Sequence, residues 1–118
     1  MNKEVLKERT LDFAVRVLKL AEALPKSVSG RTVANQIARS GCSVAANYRS
    51  ALRGKSRADF ANKINIVLEE SDETEFWLEL MERAELLPAN RLSSIRAEAN
   101  ELTRIFNATR TTTRNHRS

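Results

Sequence analysis

The chain has 118 residues, 42% hydrophobic and 30% charged, with a formal net charge of +5: enough for one small domain with a modest core, and too apolar for a disordered chain. Three Gly and two Pro are too few turn signals for a many-stranded β protein, and one Cys with one His rules out an internal disulfide and a Cys/His metal cluster. The charged start MNKEVLKERT has no leader-like apolar run and no stretch reaches membrane-span length, so no membrane partner and a cytoplasmic location are expected.

Four segments carry helical periodicity. The first spans Lys3 to Leu24: Leu6, Phe13, Val17, Leu20 and Leu24 recur at three- and four-residue steps, Ala14, Leu18 and Ala21 widen the stripe, and Pro25 ends it. The second spans Gly30 to Arg53, with Val33, Ile37, Val44, Tyr48 and Leu52 as its larger apolar positions and Gly54 as its stop.

Inside that second segment the stretch SGCSVAANYRSAL (40–52) admits two readings. A loop presenting Ser43 or Cys42 as a nucleophile needs a base, but the lone His116 lies in the tail, no Gly-x-Ser-x-Gly elbow surrounds Ser43, and nothing in the sequence gathers around Lys63. A thin helix accounts for the pattern better. Gly41 and Ala45, Cys42 and Ala46, and Ser43 and Asn47 are each four apart and share a face. A ridge of such small side chains lets another helix come close. Asn47 on a packed face needs hydrogen-bond partners and fixes register when it has them.

The third segment spans Arg57 to Leu87, opened by SRAD, a capping box with Asp in place of Glu. Phe60, Ile64, Val67, Ser71, Thr74, Leu78 and Met81 form one stripe. Ile66, Glu70, Glu73, Trp77, Leu80, Ala84 and Leu87 form a second on the adjacent face. The fourth begins near Pro88 with the stripe Leu92, Ile95, Ala99, Leu102 and Phe106, and decays into a basic tail. The expected architecture is all-α: an antiparallel up-down four-helix bundle over residues 1–110, with residues 111–118 a frayed tail.

A tight turn at Gly54–Ser56 sets the second and third helices antiparallel, with Asn47 level with Lys63, Arg39 with Glu70 to Asp72, and Gln36 with Glu73 and Thr74. Arg39 and Glu70 are expected to form a partly buried ion pair; the alternative leaves Glu70 and Glu73 facing water. Trp77 reads either as a subunit contact or as a lid on the core edge.

The run Gln36 to Met81 resembles the bacterial four-helix-bundle proteins of the 23S rRNA intervening-sequence family. The similar positions are Arg39-Ser40-Gly41, then Ser43, Val44, Ala46, Asn47 and Tyr48, then Ser56, Asp59, Phe60 and Lys63, and finally Glu73, Thr74, Phe76, Trp77 and Leu78. Two positions depart from the family pattern: Ser50 stands where an acid is common, and Ala45 where a Pro occurs, which predicts a straighter second helix. The resemblance implies a ring-like homopentamer. It also implies a relation to the accessory protein of diversity-generating retroelements, a pentameric barrel that binds a reverse transcriptase and nucleic acid.

The functional expectation is a homo-oligomer binding RNA or DNA through Arg49, Arg53, Lys55 and Arg57 near the second turn and Arg110, Arg114 and Arg117 in the tail. Arg39, Asn47, Lys63, Glu70, Glu73 and Trp77 would serve structure and subunit contacts. The alternative is an adaptor that holds a partner enzyme, such as a reverse transcriptase, without touching nucleic acid. No Glu-x-x-His pair supports a di-metal bundle, so neither a cofactor nor catalysis is expected.

Overall fold

The computed structural model describes residues 1–115. Helices α1 (Lys3–Ala23), α2 (Val28–Leu52) and α3 (Arg57–Arg83) each start where a side chain accepts a free backbone N–H, and α4 (Ala89–Asn115) follows Pro88. Asn2 Oδ1 accepts from the Val5 amide at 2.8 Å, Ser27 Oγ from Gly30 at 3.1 Å, and Ser56 Oγ from Asp59 at 3.1 Å. Asp59 reaches back as the expected capping box requires, but it accepts from the Lys55 amide at 3.2 Å, one residue before the Ser56 cap.

Three boundaries differ from the sequence reading. Ser27 caps α2, so that helix starts before Gly30; the glycine is a buried helical residue, chosen for closeness. A Cβ there would lie 1.9 Å from the Pro25 carbonyl oxygen. α3 stops at Arg83 because Glu85 takes a left-handed φ of 56°, which turns the chain and drops Leu87 onto the core. α4 continues through Asn115, past the boundary at 110 where a frayed tail was expected. The Thr109, Thr111 and Thr113 hydroxyls donate to carbonyls one turn back, at 2.9, 3.1 and 2.8 Å, and so occupy donors that would otherwise compete for the backbone. His116 and Arg117 lie outside the described residues.

The helices run up and down. α1 packs on α2, α2 on α3 and α3 on α4 along their lengths, while α1 and α4 meet sparingly. The result is a rod of 49 × 21 × 20 Å. Phe13, Val17, Ile37, Val44, Ile64, Val67, Leu78, Met81, Leu92, Leu102 and Phe106 fill its axis. The stretch 40–52 is helix, and its thinness serves an approach within the subunit: a Cβ on Gly41 would sit 2.7 Å from Val17 Cγ1. Leu18 was expected to widen the core stripe of α1. It instead points outward, 45% exposed, in line with Leu11 and Val15, because the core already takes Val17, Leu20 and Ala21 from the opposite face.

Candidate functional site

The α2–α3 seam carries the polar pairings that the antiparallel register predicts. Arg39 reaches Glu70 at 3.1 Å and also Glu73, with Gln36 accepting from its Nε at 3.3 Å. Arg39 is half exposed, whereas Glu70 is mostly buried, so the pair lies at the rim of the seam. Beneath it the buried hydroxyls of Ser40 and Thr74 lie 2.9 Å apart. The Trp77 indole N–H donates to Glu73 at 2.9 Å, and its ring meets Phe76 edge to face at 4.8 Å. Trp77 packs partly against the core and leaves the rest of its ring at the surface.

Asn47 does not bond across the seam to Lys63. Its amide donates to the carbonyl and hydroxyl of Ser43, at 2.9 and 2.8 Å, within its own helix. A short amide one turn above a serine reaches that residue first, so same-helix geometry overrides the inter-helix register. Lys63 is half-buried on α3.

Two apolar groups remain at the surface. Leu11, Val15 and Leu18 form a stripe along α1, and on α3 Phe76 and Leu80 lie beside Trp77 with Ile66 about three turns before it. By helical phase these groups are on different faces of the rod, since α1 and α3 occupy opposite corners. Cys42 lies half-buried on the slender face of α2, and burial pushes its thiol pKa up, away from the reactive thiolate.

The up-down topology gathers residues 1–8, 48–63 and 104–115 at one end of the rod. These segments hold ten Lys and Arg against three Asp and Glu. Arg49, Arg53, Lys55, Arg57 and Arg114 are exposed there. Arg110 is half-buried and donates from Nη2 to Asn107 at 2.9 Å, with its Nε lacking a partner. Lys3, Lys7 and Arg104 belong to the same end. The sequence reading missed them, although folding the four segments up and down would have placed them.

A cleft of about 810 Å³ opens at this end. Leu6, Tyr48, Leu52, Phe60 and Ile105 line its apolar part, and Lys3, Lys55 and Arg57 its edge. Lys3 Nζ stands 5.6 Å from the centre of the Phe60 ring. Burial, helped by the charge of Glu4, pushes the Tyr48 phenol pKa up and keeps it protonated. At mid-height on the α1–α4 side, Arg9 bonds to Glu98 at 2.7 Å and Glu101 at 2.9 Å, which holds its guanidinium above its ordinary range. Among the described residues no group of three or more His, Cys, Asp or Glu is placed to hold a metal ion, and no helix is long and apolar enough to cross a membrane.

Residues 3–108 match the family described as 23S rRNA-intervening sequence protein. A 1.70 Å crystal structure of a protein of unknown function from the S23 ribosomal protein family of Bacteroides thetaiotaomicron is also similar. Its TM-score is 0.86 at 39% identity, over 94% of this chain and 99% of that one. No curated protein matches.

Proposed function

From its membership of the 23S rRNA-intervening sequence protein family, to which this chain belongs, we propose that the protein is a non-enzymatic homo-oligomer that holds RNA or DNA against the basic end of its bundle. The lengthwise separation of charge carries this reading. The same helices that present ten cationic side chains against three acidic ones at one end keep Glu69, Glu70, Asp72, Glu73, Glu98 and Glu101 along the middle. Phosphates are drawn to the first region and repelled by the second, so a strand is held at the end of the rod.

The two apolar groups support assembly. Patches on different faces join head to tail, and such contacts close into rings when the rotation between successive copies closes. The pentamer implied by the family resemblance fits this pattern. Copies with parallel rods gather their basic ends on one rim, and each added subunit repeats the cationic surface.

Light scattering is expected to give a species several times the 13.3 kDa subunit. A mobility-shift assay with generic RNA and DNA should show binding that falls steeply with salt. Replacing Arg49 and Arg53 together by Ala should weaken it across sequences. The absence of any shift at low salt overturns the nucleic-acid reading and leaves an adaptor for a protein partner.

A further inference from the structure

Resting on that reading, we propose that the cleft at the basic end receives an unstacked base, so that the protein prefers single-stranded nucleic acid to duplex. The cleft combines the two things a single strand offers. Its apolar part, from Leu6, Leu52, Phe60 and Ile105, suits the face of a base, and its cationic edge, with Lys3 and Lys55, suits the phosphate that accompanies it. Its volume of about 810 Å³ is within the range of pockets that enclose small molecules.

Phe60 is the centre of the argument. It packs against the core yet is only half-buried. The Lys3 ammonium, 5.6 Å from its centroid, marks a ring face turned toward the cations of the edge. A base stacked on that face displaces Lys3 toward the phosphate, exchanging one cation–π contact for a stack and an ion pair. Also lining the cleft, the Thr109 and Thr113 hydroxyls spend their hydrogens on carbonyls of α4, so their oxygens keep lone pairs for the amino groups of a base edge. Duplex bases are paired and stacked and cannot enter, so a duplex keeps only the phosphate contacts.

The test compares a short labelled RNA with its own duplex by fluorescence anisotropy at one salt concentration, using the full chain. The single strand should bind more tightly. Phe60→Leu keeps an apolar side chain but removes the ring; it should lower single-strand affinity by roughly 5- to 100-fold and leave duplex affinity unchanged. Phe60→Trp should restore the preference. Equal wild-type affinity for the two forms overturns the inference whatever the variants do, and so does a Phe60→Leu protein of native melting temperature that keeps the preference; either leaves the basic-end reading standing. Binding of neither form overturns both.

Discussion

The two ends of the rod are built from the same four helices and treat space in opposite ways. At the end holding the turns 24–27 and 84–88, Leu24 and Leu87 seal the core at 3% and 7% exposure, and Gly30 brings α2 against the Pro25 backbone. At the other end a half-buried Phe60 and an open cleft take the place of that seal. Charge follows the same division. Residues 16–31 and 75–96 carry seven basic against five acidic side chains, nearly balanced, where the open end has ten against three. Tight packing with balanced charge makes a structural end, while unfilled apolar space under an excess of cations makes an end suited to a ligand.

The contrast can be broken by substitution. The largest effect is expected at the sealed end. In Gly30→Ala the new Cβ would meet a backbone carbonyl, which cannot rotate away, so the loss should be about 3 kcal/mol and the melting temperature should fall by about 10 °C or more. A thermal melt measures it, and a near-native value would mean that this turn is as yielding as the opposite end. Phe60→Leu, in the same assay, should cost less than about 1.5 kcal/mol, because its side chain already borders open space. A cost matching that of Gly30→Ala would make Phe60 a packing residue and erase the distinction.

The smallest expected effect is a pH dependence at the floor of the cleft. The folded Tyr48 phenol has a raised pKa, so the fold favours its neutral form. Its contribution is complete below the ordinary tyrosine pKa of about 10 and is lost as pH rises through the folded value. Melts between about pH 8 and pH 11 should therefore show a decline that Tyr48→Phe reduces. An identical decline in the variant would assign it to other groups.

Most of the fold was legible in the sequence because it rests on period. The stripe of α2 from Val33 to Tyr48 and the first stripe of α3 from Ile64 to Met81 are buried as read, whereas Leu52 and Phe60 are half-buried and Ile66 and Leu80 of the second α3 stripe face outward. The register that follows from one short turn brings Arg39 to Glu70. What escaped was decided by competition between nearby groups. Asn47 has two partners available, and the one in its own helix wins. Leu18 satisfies the same spacing as its neighbours, but the core-facing arc of α1 was already full. The threonines of α4 have poor helix propensity, yet their hydroxyls bond back to the helix and the helix persists. The candidate cleft was hidden for another reason. Its lining comes from three separate segments, and only the folded end joins Lys3 to Phe60 and Ile105.

The sparing contact between α1 and α4 governs how the molecule comes together. Every extensive helix interface joins neighbours in the chain, so the contacts are local and folding should be fast. The first and last helices are held together by Arg9 on Glu98 and Glu101 and by Arg16 on Ser94. Along that edge polar clasps do what apolar packing does at the other three, so less buried surface would be exposed by parting it than by parting any other pair of neighbouring helices.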